Sequence, residues 1–309
     1  MNGIDLTSVA VSVIAASTPL LLAATGELVT EKSGVLNLGV EGMMLVGAVI
    51  GFAVTLGSGS AVLGVFAAAL AGAAMALIFA ILTLTLLTNQ VATGLALTIF
   101  GIGLSALIGA GYVGQPLQGP LPKLDIPGLS TLPVLGPILF HQDALVYFSF
   151  AALIGVSWFL RKSHAGLVLR AVGDSHDAAH AIGYGVIKVR YLATLFGGAM
   201  CGIAGAYFSL AYTPMWAENM TAGRGWIALA LVVFAAWRPA RLLLGAYLFG
   251  GITILQLHIQ GFGIAIPSQF VSMLPYLATI LVLVAISSDR TRVRLNTPAC
   301  LGRAFNAAG

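Results

Sequence analysis

Apolar residues fill this chain in long runs, and the polar positions fall mostly between them. Nine runs stand out, at roughly 5–26, 38–56, 61–87, 90–110, 143–161, 190–212, 223–237, 242–260 and 268–287. A helix needs about 20 predominantly apolar residues to cross a bilayer. Inside lipid every backbone polar group must find its partner within the protein, so the runs are read as helices. The pattern predicts an all-α polytopic membrane protein of about nine spans, with eight to ten as the range. The polar residues concentrate in a connector at 111–142, another at 162–189 and a tail at 288–309. No polar stretch is long enough to build a second core, so residues 1–309 form one transmembrane domain.

Composition supports this picture and excludes a water-soluble domain. The chain is 59% hydrophobic and 8% charged, against roughly 25% charged in soluble proteins. The net charge of +4 reads as topology rather than as affinity for nucleic acid. With the N-terminus outside, twelve of the fourteen Lys and Arg fall on the cytoplasmic side, and only Lys123 and Arg224 remain outside. The positive-inside rule selects that orientation, which puts the C-terminus in the cytoplasm. The first segment lacks the basic start of a cleaved signal and reads as a retained span. Cys201 and Cys300 suggest neither a disulfide framework nor a metal site. Gly47 and Gly51, Gly101 with Ser105 and Gly109, and Gly198 with Gly202 recur at the spacing that lets helix backbones approach closely. The connector 111–142 holds six of the twelve prolines and is expected to be a stiff, turn-rich extracellular surface, either a connector or a docking rim.

The stretch LRAVGDSHDAAHAIGYGVIKVR, Leu169 to Arg190, breaks the apolar habit of the chain. GDSHDAAHAIGYG reads as a short helix, capped by Asp174 or Ser175, with Asp177 in its first turn and Gly183 as the residue that ends it. Ala178, Ala181 and Ile182 share a face too small for a core of its own. Two readings stand: a solvated linker helix, or a helix shaped for a partner's groove. His176 and His180 lie one turn apart, but no third metal ligand accompanies them.

DAAHAIG, Asp177 to Gly183, resembles the E-A-A-x-x-x-G signature of permease subunits in ATP-binding-cassette importers, with Asp177 in the Glu place. EKSGVLNLGVEGMMLVGA, TNQVATGLAL, LRAVGDSHDAAHAIG and GRGWIALALVVF follow one another as in the nucleoside and simple-sugar branch of that superfamily. The resemblance runs from about residue 20 to 287. It implies a type II importer bundle in the bacterial inner membrane. The signature loop becomes a coupling helix that docks on an ATPase through Asp174, Asp177, Ala178, Ala179, Ala181, Ile182 and Gly183. Its implied partners are the ATPase subunit, a second permease that is a paralogue or a copy of this chain, and an external substrate-binding lipoprotein. The implied substrate is a nucleoside, purine or broad-range, with a simple sugar such as ribose as the alternative.

Polar residues inside the runs are the candidates for the solute path. Glu41 lies just inside a span, with Asn37 one turn before it on the same face. A charged residue at the centre of a span costs about 2–3 kcal/mol or more, so it faces a partner or an aqueous cavity. Glu41 therefore reads either as a polar patch near the path or as a helix-start group bonded to backbone amides or a neighbouring helix. WAENMTAGRGW, Trp216 to Trp226, offers two interfacial tryptophans as path residues whose faces can stack on a nucleobase, and Arg224 as a substrate contact or as a partner of Glu218. Asn89, Gln90 and Thr93 supply hydrogen-bonding groups at one-turn spacing, as path residues or as ties between helices. No lysine follows a glycine, so the chain has no G-x-x-x-x-G-K-[ST] phosphate loop. ATP and Mg would be used by the partner, with no cofactor bound by this chain and no enzyme activity of its own. A secondary transporter using Glu41 as its ion site is the competing class.

Overall fold

The computed structural model describes residues 6–261 except 118, 126, 129, 131, 133 and 134, a few isolated positions between 270 and 284, and residues 296–306. Its described helices are α1 (Leu6–Lys32), α2 (Val40–Ser58), α3 (Ala61–Ala80), α4 (Gln90–Gly109), α5 (Ala144–Lys162), α6 (His164–Asp174), α7 (His176–Ala181), α8 (Val186–Tyr207), α9 (Arg224–Phe234) and α10 (Pro239–Gly261). A wider turn continues α3 to Thr85, and another continues α8 to Tyr212. Two three-residue strands, β1 (Lys123–Asp125) and β2 (His141–Asp143), pair antiparallel within the long connector, Leu124 opposite Gln142.

Seven described helices are long and apolar enough to cross a membrane. The expectation of about nine spans needs correcting at 223–237. There α9 has 11 residues, a rise of about 16 Å, which is half of a ~30 Å hydrocarbon core. It does not cross alone. The run at 268–287 lies outside the described residues apart from isolated positions. The first span also extends further than expected, because α1 continues to Lys32 and carries Glu27 and Glu31 inside its buried length.

The centre of the bundle is made by α1, α2, α3 and α8, and glycine sets its spacing. A Cβ on Gly47 of α2 would fall 2.5 Å from the Cα of Gly202 of α8, and one on Gly101 of α4 would fall 2.5 Å from the Cα of Gly42 of α2. The backbones touch directly, which is how helices gain dispersion contacts where lipid tails are as apolar as leucine. At one end of the bundle the connector 111–142 is pinned by Leu117 N–H donating to the Pro214 carbonyl, at 3.1 Å, and Leu121 N–H to that of Leu210, at 3.0 Å. At the other end lie α6, α7, residues 296–306 and most of the described basic residues. This is called the basic end below.

Candidate coupling face and solute-path site

The basic loop is two helices, where the sequence suggested one. Asp174 is the last residue of α6 and caps nothing with its side chain. Ser175 is the cap, its hydroxyl accepting from Ala178 N–H at 3.3 Å. Gly183 follows α7 in the left-handed region, φ +93°, with its N–H on the His180 carbonyl at 2.9 Å. That is the conformation a helix-ending glycine adopts without a Cβ penalty.

The two faces of α7 differ sharply. Ala178, Ala181 and Ile182 are exposed, Ile182 by 72%. Ala179 and His176 are buried behind them. Ala179 packs with Val168, Val172, Val186 and Phe305, so it belongs to the support of the helix and not to its outer face. The Phe305 ring lies against His176 and His180, with centroids 5.2 and 5.4 Å apart. Among the described residues no three potential metal ligands gather.

Arg190 of α8, 1% exposed, ties this support together. Its Nε donates to the Ser33 carbonyl at 3.2 Å, Nη1 to the Arg303 carbonyl at 3.0 Å, and Nη2 to His176 Nδ1 at 3.1 Å. The planar guanidinium suits such a task because its donors diverge in a fixed fork. For Nδ1 to accept, the imidazole proton must sit on Nε2, which faces Asp177 Oδ1 at 3.5 Å. Burial, and then the neighbouring Arg190 cation, hold the His176 pKa below its ordinary value and favour that neutral ring. The tail completes the brace. Cys300 N–H donates to the Gly173 carbonyl at 2.9 Å, Gly302 N–H to that of Gly34 at 3.1 Å, and Lys32 Nζ to that of Asn296 at 2.7 Å.

The second site joins two segments that the sequence placed at opposite membrane faces. Glu41, 2% exposed near the start of α2, reaches the turn before α9. Its Oε1 accepts from the Thr221 hydroxyl at 2.5 Å and Gly223 N–H at 2.8 Å, and its Oε2 from Gly225 N–H at 2.6 Å. The first N–H groups of a helix lack intrahelical partners and carry partial positive charge. Glu41 thus caps α9 from another helix, at the end where no local side chain does so. Gly223, at φ +81°, makes the turn, and Gly225 lets Glu41 approach, since a Cβ there would fall 2.6 Å from the Glu41 Cα. α9 leads from this point to Trp237, whose Nε1 donates to Glu31 at 2.6 Å near the basic end, so Glu41 and Glu31 hold opposite ends of the α9 segment.

The other path candidates serve mainly to hold backbone. Asn37 is fully buried, its N–H on Glu27 at 3.3 Å and its Oδ1 accepting from Gly39 N–H at 2.9 Å. Asn89 caps α4 by accepting from Ala92 N–H at 3.0 Å, and the Thr93 hydroxyl bonds that of Thr88 at 2.9 Å. Gln90 accepts from Leu36 N–H at 2.8 Å. Trp216 is 1% exposed, pressed against Gly109, so its ring offers no open stacking face. Trp226 is 37% exposed. The Arg224 guanidinium lies 4.7 Å from the Phe208 ring centre and 5.5 Å from that of Tyr212, a cation–π arrangement. Glu218, Asn219 and Ala222 are exposed on the irregular stretch between α8 and α9. Irregular backbone at membrane depth is tolerated where it is buried or lines an aqueous cavity.

Glu27 and Glu31 were missed by closing the first run at residue 26. The signal was present, two carboxylates one turn apart directly after an apolar run.

The chain is similar over almost its full length to known transporters. A protein of Haloferax volcanii that bears the provisional name of a glucose ABC transporter permease is 42% identical, over 95% of each chain. The guanosine ABC transporter permease of Bacillus subtilis is 33% identical over 86% of this chain and 87% of its own. The nucleoside ABC transporter permease of Lactococcus lactis is 31% identical over 86% of this chain and 88% of its own. No solved structure shows a significant match. The family model described as branched-chain amino acid transport system / permease component matches residues 9–283, and the chain, a multi-pass transmembrane ABC transporter permease, belongs to that family.

Proposed function

We propose that this chain is the membrane-spanning subunit of a nucleoside importer in the bacterial cytoplasmic membrane, with its basic end in the cytoplasm and its N-terminus outside. The observation that carries the coupling role is the two-sided α7: an exposed apolar face at Ala178, Ala181 and Ile182, backed by the guanidinium of Arg190 and the ring of Phe305. A small helix held rigidly from behind transmits a push instead of absorbing it. An external binding protein delivers the solute, and ATP with Mg binds an ATPase that docks on α7. ATP acts by its different affinity for the two conformations of the assembly. A second permease, a paralogue of this chain, completes the path. The fully engaged carboxylate of Glu41, with three donors of its own chain on its oxygens, favours this reading over ion coupling at that residue.

The nucleoside assignment rests on the guanosine and nucleoside permeases among the relatives, and the glucose-named relative favours a sugar as the second reading. Uptake of radiolabelled guanosine by cells expressing the assembly separates them. Competition by unlabelled adenosine or uridine, with none from ribose or glucose, is the expected result. Glucose uptake that guanosine leaves untouched would replace the substrate while keeping the machine.

A further inference from the structure

A groove of about 500 Å³ runs along the bundle between α5 and α8, and every described residue that lines it is apolar. One wall is the α5 stripe Phe148, Ala152, Gly155 and Phe159, and the other is the α8 stripe from Val189 through Leu192 and Phe196 to Met200. Each stripe covers eleven residue steps, about 17 Å of helix. That is slightly more than half of a ~30 Å hydrocarbon core, the depth of one leaflet. With no hydrogen-bonding side chain among the described residues of its lining, the groove is unsuited to a nucleoside or a sugar, whose polar groups would lose water without replacement. It is partly open to its surroundings, with Phe148, Leu192 and Phe196 between 38% and 60% exposed.

The basic end of the groove carries charge in register with it. Lys162 follows Phe159 by three residues on α5, and Lys188 precedes Leu192 by four on α8, so helical spacing puts both on the groove side. Both are exposed. Two exposed lysines at the basic end of an apolar slot one leaflet deep match the two parts of an anionic lipid. We propose that the groove binds an anionic phospholipid, one acyl chain lying between α5 and α8 and the phosphate held between Lys162 and Lys188. The lipid would fill the wall beside α6 and so support the loop that ends in α7.

The test uses the assembled transporter purified in mild detergent and exchanged into nanodiscs containing equal phosphatidylglycerol and phosphatidylcholine, with retained lipid measured by native mass spectrometry. The expected result is retention of phosphatidylglycerol over phosphatidylcholine, with Lys162→Gln plus Lys188→Gln reducing that preference by about tenfold or more. Gly155→Trp, at a position where a Cβ would stand in open space, should expel the lipid while leaving both lysines in place. Equal retention of both lipids, or retention indifferent to all three substitutions, would overturn the proposal. A photocrosslinking residue at Leu192 gives a reading that needs no destabilising change: crosslinks to lipid support the site, and crosslinks to another polypeptide in place of lipid refute it.

Discussion

Glu41 caps the first turn of a helix that begins about 180 residues later in the chain, and its two oxygens take three donors. Hydrogen bonds to a charged group contribute roughly 1.5–3 kcal/mol each. Glu41→Ala is therefore expected to destabilise the chain by at least about 3 kcal/mol, seen as lost thermal stability in detergent, whereas Glu41→Gln keeps the shape and loses less. Equal behaviour of the two variants would show that charge and hydrogen bonding matter little there. His176 makes a second prediction. Its folded pKa is depressed, so between the folded value and the ordinary ~6.5 the unfolded imidazole binds the proton more readily. The contribution to stability is full above about pH 6.5 and is lost as pH falls through the folded value. Hydrogen exchange of residues 296–306 should accelerate on moving from about pH 7.5 to about 5.5, after correction for intrinsic rates. His176→Phe, which cannot titrate, should abolish that excess. Facing this ring are Arg190, Asp177 and Arg303. At this scale the sequence marked Glu41 because a lone carboxylate in an apolar run demands a partner. It could not show that the partner was the backbone at 223 and 225, because amides leave no trace in residue types.

α7 was legible as an element, since a capping serine, a first-turn aspartate and a closing glycine are local signals. Which of its faces points outward was only half legible. Alanine at 178 and alanine at 179 are chemically identical, and the difference between them comes from Phe305 and α6. Hence Ile182→Asp, on the exposed face, should lower uptake at least about tenfold, the scale of an interface hot spot, with membrane levels of the chain and solute binding by the external protein unchanged. Ala179→Arg should instead unfold the support and reduce the amount of chain in the membrane. Similar abundance for the two variants would contradict the burial of Ala179. α6 escaped notice because its buried positions Val168, Leu169 and Val172 are interrupted by Arg170 and flanked by Gly166 and Gly173. α9 was overextended into a span because the apolar run through Trp237 masks the turn at Ala236 and Trp237, where φ is +47° and +55°. At the centre, Gly47→Leu should prevent close approach to Gly202 and abolish stable extraction, while Gly57→Leu, in open space, should be tolerated.

Across the whole molecule, the spans could be read because lipid imposes one rule on all of them. Their arrangement could not, since contacts between α3 and α8 or α1 and α10 depend on glycine positions that fit several packings equally well. The short α9 is bound at its upper end by Glu41 of α2 and reaches, through Trp237, Glu31 of α1. A change between outward and inward states would therefore carry α1, α2 and α9 together, and a disulfide joining α2 to α9 should leave uptake intact where one joining moving parts would stop it.

The brace behind α7 also has a consequence in time. Residues 296–306 leave the ribosome after α1 to α10 have been made, so α7 emerges without Phe305 behind it and α6 without its bond from Cys300. Until the Cys300 and Gly302 amides reach the carbonyls of Gly173 and Gly34, the helix lacks its fulcrum. An ATPase that recognises the supported shape would pass over a chain made only as far as α10, and assembly would wait for residues 296–306.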